Sequence, residues 1–204
     1  DVRYDAQWIE KLESTARKNN IIDKPANRLV ILYIVANLTF TKNKQVSNDI
    51  NADIFRLLDD FEDTELWVKA HPRYPNIMNN TDDCRIKVFD NDVDTNVLLS
   101  RADLVLSPLS GILFQHIIKG KRVLYYDRWR EYYDEDTWTV FDETPCVYRA
   151  SNYDQLKAGV AELKKNSTLY RNDVEKFYGD IVSGGIPLNK SIISNYTNTI
   201  QKIT

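Results

Sequence analysis

The sequence predicts an α/β protein built on a doubly wound parallel sheet, and three observations indicate this. Residues 28–36 are continuously apolar and rich in β-branched side chains, which is typical of a central strand covered on both faces. Short apolar stretches alternate with amphipathic ones along most of the chain. Residues 102–127 combine a strand, a turn with serine and glycine, a helix, a glycine stop and a second strand.

The first half of the chain contains three of the predicted strands. A leading helix at 5–18 has apolar residues at helical spacing and ends in a linker closed by Pro25. The central strand at 28–36 and a polar loop at 37–51 follow. The remaining predicted elements of this half are a helix at 52–61, strands at 64–70 and 86–89, and a short helix at 93–100.

The second half continues the alternation. It has predicted strands at 102–106 and 122–126, a sixth short strand at 145–149, a loop or short helix at 128–137, and helices at 112–119, 153–165, 169–178 and 191–203. We therefore expect one Rossmann-like domain at 28–183. Residues 1–27 would form a leading helix or linker, and 184–204 a C-terminal loop and helix that pack back.

Composition excludes several functional classes. The chain has 204 residues and a formal net charge of −3, so a general nucleic-acid binder is not expected. Its longest apolar run, 29–36, is far shorter than the ~20 residues that cross a bilayer. Cys84 and Cys146 lack the spacing of a zinc site or a disulfide framework. The abrupt beginning, without a signal peptide, suggests a fragment or one domain of a larger protein.

The turn after the fourth predicted strand has the features of an anion site. The strand would deliver Ser107 and Ser110 to the start of a helix near Gly111. Unpaired amides and the positive dipole end of a helix suit a phosphate or diphosphate. Simple helix capping by serine is the alternative, but a cap needs one hydroxyl and this turn offers two.

The second strand ends on the same edge of the predicted sheet with three potential cations, Lys69, His71 and Arg73. His71 and Arg73 could donate to one side of a diphosphate while the serine turn holds the other side. The alternative is that Lys69 and Arg73 are solvated loop charges and that His71 caps the strand.

Four further residues bear on the site, and two of them, Asp127 and Trp129, have alternative interpretations. Gln115 lies one turn into the helix, within reach of a ribose, whereas His116 shares with it the side opposite the buried face. Asp127 ends the fifth strand and either binds ribose hydroxyls or starts the next turn. Trp129 either stacks a nucleobase or packs at an interface, and interface packing is the favoured interpretation.

These residues together resemble a known family. The resemblance rests on Arg3-Tyr4 with Trp8, residues 69–72, Ala102-Asp103 leading into 107–111, Gly120-Lys121 and Val123-Leu124. They resemble the donor-binding, C-terminal half of GT-B glycosyltransferases, most closely the bacterial surface-polysaccharide group with capsule enzymes and CDP-glycerol glycerophosphotransferases of teichoic acid synthesis. Two residues depart from the family pattern, because Leu109 replaces a serine and Gln115 stands where an acidic residue is common.

The resemblance implies a function and a set of roles. His71, Ser107 and Ser110 would hold the diphosphate of a CDP-, UDP- or CMP-linked donor, with no cofactor and no obligatory metal. The reaction would transfer a sugar or polyol phosphate to a surface glycan. A missing N-terminal domain or a partner chain would bring the acceptor and the catalytic base, so no base is assigned here. The expected location is cytoplasmic, with peripheral membrane association left open.

Two other functions remain open at the level of the sequence. A sugar-nucleotide epimerase shares the GT-B architecture and would convert its nucleotide sugar without an acceptor. A non-enzymatic interaction domain would use the serine turn only as a cap and the aromatic residues around Trp129 as a protein interface.

Overall fold

The computed structural model describes residues 10–11, 14, 22–43, 45–71, 82–90, 92–133, 139–142 and 144–185. The predicted helix at 5–18 falls largely outside these residues. The predicted helix at 191–203 and Arg73 fall wholly outside them.

Six strands form one parallel sheet in the order β3-β2-β1-β4-β5-β6. Their bounds are β1 Leu29–Ile34, β2 Thr64–Lys69, β3 Ile86–Phe89, β4 Leu104–Ser107, β5 Val123–Tyr126 and β6 Val147–Ala150. This is the doubly wound, Rossmann-like order in which the direction of winding reverses between β1 and β4. The predicted fold class is thus confirmed.

The helices in chain order are α1 Gln45–Asp60, α2 Thr95–Arg101, α3 Leu113–Ile118, α4 Tyr153–Lys165 and α5 Arg171–Phe177. Short 3₁₀ helices lie at Thr39–Thr41 and Arg128–Tyr132, and a π-helix at Tyr178–Ser183 continues α5. No helix in the described ranges is long and apolar enough to cross a membrane.

The helices cover both faces of the sheet. On β5, Leu124 lies against α4 at Gly159, whereas the adjacent Tyr125 packs on Phe141. Phe141 in turn contacts Phe114 of α3. Since neighbouring residues of a strand point to opposite faces, α3 and α4 lie on opposite sides of the sheet. The fold therefore has three layers with the parallel sheet in the middle, which explains why residues 30–34 of β1 are all buried.

Helix α1 begins seven residues earlier than the sequence interpretation placed it. Val46 and Ile50 are buried and lie at helical spacing ahead of Ile54, and the Asn43 side chain accepts a hydrogen bond from the Gln45 amide. The polar residues between these apolar positions concealed the first two turns. The longer helix places its N-terminus beside the carboxyl end of β1, at the edge where doubly wound sheets bind ligands.

Candidate functional site

The turn that follows β4 occupies the switch point of the sheet. Ser107 is the last residue of β4, whose neighbours are β1 on one side and β5 on the other. In open α/β sheets, ligands bind outside the carboxyl ends of the strands where the winding reverses. The serine turn predicted from the sequence therefore lies at the position that this topology favours for a ligand.

Three successive amides in this turn lack an acceptor. Within the residues that the structure describes, the N–H groups of Leu109, Ser110 and Gly111 make no hydrogen bond to backbone or side chain. Leu109 and Ser110 are partly buried and Gly111 is exposed. Because unpaired backbone donors are costly once water is removed, consecutive free amides are suited to an anion.

The two hydroxyls of the turn have different partners. Ser107 is fully buried, and its Oγ donates to the Ile34 carbonyl oxygen at 2.9 Å, bridging β4 to β1 across the switch point. Ser110 is partly exposed, and its Oγ accepts a long 3.4 Å hydrogen bond from the Ile112 amide. Only Ser110 thus presents a hydroxyl to the edge of the sheet, and Ser107 performs a structural task that the two-serine argument did not foresee.

Of the three cations predicted at the carboxyl end of β2, Lys69 is engaged by another loop. Lys69 is buried, and its Nζ donates to the carbonyl oxygens of Asp90 and Val93, so it holds the loop after β3. Burial lowers the pKa of Lys69, whereas the carboxylates of the same loop act in the opposite direction. Lys69 is therefore not a solvated charge, and its ammonium group is committed to the loop after β3.

His71 remains beside the switch point. It is partly buried, two residues beyond the end of β2, while Arg73 lies outside the described residues. Only β1 separates β2 from β4, and a strand spacing of about 4.8 Å puts these two strands about 10 Å apart. His71 and the Ser110 turn thus lie on the same edge, on either side of the end of β1.

Gln115 and His116 are both buried, which contradicts their expected position away from the core. The short helix α3 packs on α5 as well as on the sheet, and Phe114 meets Phe177 with ring centroids 5.4 Å apart, so more than one side of α3 is covered. The Gln115 Oε1 and both His116 ring nitrogens have no hydrogen-bond partner among the described residues. Burial lowers the pKa of His116 to about 4, and Lys121 adds to the effect.

Asp127 is fully buried and engaged in ion pairs. Its Oδ2 lies 2.5 Å from Arg149 Nε and 3.0 Å from Arg130 Nε, and its amide donates to the Ala150 carbonyl. These contacts fix the segments that leave β5 and β6. They favour the structural interpretation of Asp127, although its other oxygen, Oδ1, is buried without a hydrogen-bond partner among the described residues.

Trp129 is not an exposed aromatic. Its side chain is 1% exposed, and its Nε1 donates to the Pro108 carbonyl oxygen at 3.0 Å. The indole therefore supports the serine turn, and Trp129 itself is not available for the interface or stacking surface that the sequence predicted for its loop. A 3₁₀ helix that turns the chain inward after β5 explains the difference.

The described part of the chain contains no cluster of His, Cys, Asp and Glu that could hold a metal ion. Cys84 is exposed and Cys146 is buried, and both are free thiols.

Sequence reasoning missed a set of contacts that attach α1 to the second half of the sheet. Asp53 of α1 accepts hydrogen bonds from Tyr126 and Arg128, and Asp49 accepts one from Tyr132. Asp49 and Asp53 are four residues apart and share one face of α1. The sequence predicts that this helix begins at residue 52, which places Asp49 in the preceding loop.

Comparisons with known proteins support the same architecture. No protein-family model matches the chain, and no curated protein matches its sequence. The structure is similar to that of the wall teichoic acid polymerase TagF, with a TM-score of 0.62 and 15% identity over 96% of this chain and 47% of TagF. A TagF variant soaked with CDP-glycerol matches with a TM-score of 0.61 and 16% identity over 97% of this chain and 46% of TagF.

A second kind of enzyme shares the fold. UDP-GlcNAc 2-epimerase from Methanocaldococcus jannaschii matches with a TM-score of 0.57 and 15% identity over 83% of this chain and 46% of the epimerase. The fold is that of one half of a GT-B enzyme. The chain spans about half the length of these solved proteins.

Proposed function

We propose that this chain is the donor-binding half of a transferase that moves a sugar or polyol phosphate from a nucleotide-activated donor to a cell-surface polysaccharide. The observation that carries the proposal is the row of unpaired amides at Leu109, Ser110 and Gly111 at the switch point. The likeness to TagF, one variant of which was soaked with CDP-glycerol, supports the same donor class.

The chemistry would be electrostatic. When the transferred group leaves the donor, negative charge grows on the phosphate oxygens of the nucleotide. Donors that are already oriented stabilise this charge without reorganisation, and in a site closed to water each is worth more than in solution. The three amides and the Ser110 hydroxyl would supply these donors from the turn after β4, and His71 would supply one from the side of β2. Arg73 stays a donor proposed from the sequence, and no obligatory metal is expected.

The remaining predicted site residues take different roles in this proposal. Gln115 offers a buried oxygen without a described partner, which suits a ribose hydroxyl. Ser107 and Lys69 would act indirectly, because their polar atoms are committed to Ile34 and to the loop after β3. Asp127 would support the site through the two arginines on its Oδ2, while its Oδ1 has no described partner. The acceptor site and the catalytic base would belong to the other half of the GT-B pair, and the nucleotide donor implies work in the cytoplasm.

Calorimetric titration of the folded chain with CDP, UDP and CMP tests the proposal. We expect CDP or UDP to bind more tightly than CMP, since the amides would contact a second phosphate group. Binding should persist in EDTA. Failure of all three nucleotides to bind a sample whose fold is confirmed by circular dichroism would contradict the proposal.

The likeness to UDP-GlcNAc 2-epimerase favours a second candidate, a nucleotide-sugar epimerase. The two functions differ in their need for an acceptor. Conversion of a nucleotide sugar to its epimer by the complete protein, without any glycan, would favour the epimerase. Release of nucleotide only when a glycan acceptor is present would favour the transferase.

A further inference from the structure

A second polar pocket of about 360 Å³ opens at the carboxyl edge of the sheet, beside β5 and β6 and away from the switch point. Three elements form its walls: α1, the 3₁₀ helix after β5 and the beginning of α4. Its lining includes Arg56, Arg128, Glu131, Asn152, Tyr153 and Asp154. We call it the Arg56 pocket.

Arg56 is held in place and yet keeps its hydrogen-bond donors. Its guanidinium carbon lies 4.1 Å from the centroid of the Tyr153 ring, and that ring is fixed because Tyr153 is buried and its hydroxyl donates to Asp60. Stacking uses the face of the guanidinium and leaves its five N–H groups in the plane. No acceptor or ion-pair partner for these groups lies among the described residues.

A neighbouring side chain adds donors to the same pocket. Asn152 caps α4, with its Oδ1 accepting from the Gln155 amide at 3.0 Å. The cap fixes the carboxamide, and its Nδ2 has no acceptor in the described part of the chain. Arg56 and Asn152 therefore present preorganised donors from two different elements.

The carboxylates of the lining are not equivalent. Asp53 and Glu131 both pair with Arg128. Asp154 makes no ion pair or hydrogen bond with another described residue. Arg56 makes no ion pair within the lining, although its charge also acts on the Asp60 carboxylate outside it. A guanidinium suits an oxyanion, whereas a carboxylate accepts hydrogen bonds from hydroxyl groups.

We propose that the Arg56 pocket binds a phosphorylated polyol or sugar, with the phosphate on Arg56 and Asn152 and hydroxyl groups on Asp154. The pocket is separate from the Leu109–Gly111 amides, and the proposal does not depend on nucleotide binding there. It gives this half of the molecule a second small-molecule site on the same edge of the sheet.

NMR titrations with inorganic phosphate, glycerol and glycerol 3-phosphate, the smallest phosphorylated polyol, test this site. We expect glycerol 3-phosphate to shift the amides of Asn152, Tyr153 and Asp154 and the Arg56 Nε–H at lower concentration than phosphate does. Glycerol alone should shift none of them. Arg56→Gln should weaken binding about tenfold or more, as expected for the loss of a charge-assisted contact.

Two control variants separate this site from other sources of binding. Arg171 is also an exposed arginine, on α5, and Arg171→Gln should bind as the parent does. Ser110→Ala should leave the shifts at residues 152–154 unchanged. The proposal is overturned if Arg56→Gln binds like the parent, if Arg171→Gln weakens binding equally, or if the shifts scatter over basic residues elsewhere.

Discussion

Ser107 and Ser110 lie three residues apart in one turn, and their hydroxyls have separate environments. The buried Ser107 hydroxyl joins β4 to the Ile34 carbonyl, while the Ser110 hydroxyl faces the edge of the sheet beside unpaired amides. Substitution can therefore distinguish a residue that supports the turn from one that contacts the donor.

We predict that the two alanine variants differ in which quantity they change, stability or nucleotide affinity. Ser107→Ala leaves the buried Ile34 carbonyl without this donor and should lower the free energy of unfolding by about 1–2 kcal/mol, with nucleotide affinity nearly unchanged. Ser110→Ala should weaken nucleotide diphosphate binding about tenfold and lower the free energy of unfolding by less than about 1 kcal/mol, because its bond to the Ile112 amide is long. Urea unfolding and calorimetry measure the two quantities, and equal losses of affinity in both variants would contradict these roles.

His116 should make the stability depend on pH. Its pKa is lowered to about 4 in the folded state, whereas an unfolded histidine has a pKa of about 6.5. As the pH falls, the unfolded chain gains this proton first, so stability decreases between about pH 6.5 and 4 and then levels off. The shift corresponds to a loss of about 3 kcal/mol.

Replacement of His116 by leucine tests this dependence. Because its ring nitrogens have no partner in the described part of the chain, an apolar side chain of similar size should be tolerated. Urea unfolding at pH 7.5, 6 and 5 should show the parent losing stability relative to His116→Leu. His71, the other histidine, is present in both proteins. Parallel pH profiles would therefore show that His116 does not cause the loss of stability at low pH.

At the scale of elements, α4 packs on the sheet through a glycine. A Cβ at Gly159 would lie 2.7 Å from two atoms of the Tyr148 ring on β6 and 3.1 Å from Leu124 on β5. This glycine is required because the helix approaches two strands closely, and its backbone conformation is ordinary. An added methyl group would therefore require the Tyr148 ring, and to a smaller extent Leu124, to shift.

We predict that Gly159→Ala destabilises the protein by about 1–3 kcal/mol through overpacking, although alanine favours helices. Gly179 is the matched control, since a Cβ there has no atom within 4 Å. Gly179→Ala should be neutral or slightly stabilising. If thermal unfolding shows that both variants gain stability, the close approach of α4 to Tyr148 is wrong.

The order of elements could be predicted from the sequence, and the burial of short helices could not. Strand β3 and helix α4 lie where their apolar patterns placed them. Helix α3 has six residues, too few for its pattern to reveal that α5 packs on it at Phe114 or that Gln115 and His116 are buried. Coverage of that kind depends on contacts between residues about 60 positions apart, which a local pattern does not contain.

The candidate site shows the same limit. The sequence predicted that His71 and the serine turn lie at one edge, because the carboxyl ends of all strands in a parallel sheet share the same edge. It could not assign the partners of Lys69, Ser107 and Asp127, which are carbonyl groups or arginines from other elements. Arg56 lay within a correctly predicted helix stretch, but only the packing of α1 on α4 places it over Tyr153.

At the scale of the whole molecule, the chain has the architecture of one GT-B half and spans about half the length of the enzymes it resembles. Its carboxyl edge holds both candidate binding sites, one at the switch point and the other beside β5 and β6. We propose that the switch-point site holds the donor and that the acceptor comes from the other half. We therefore expect this chain to bind the donor on its own.

Backbone NMR during a titration with CDP or UDP tests whether the donor binds at the switch point. We predict saturable shifts, in EDTA, at the amides of Leu109, Ser110 and Gly111, with smaller shifts when CMP replaces the diphosphate. Nucleotide that binds elsewhere on the folded chain and leaves these three amides unshifted, or that does not bind at all, would contradict it.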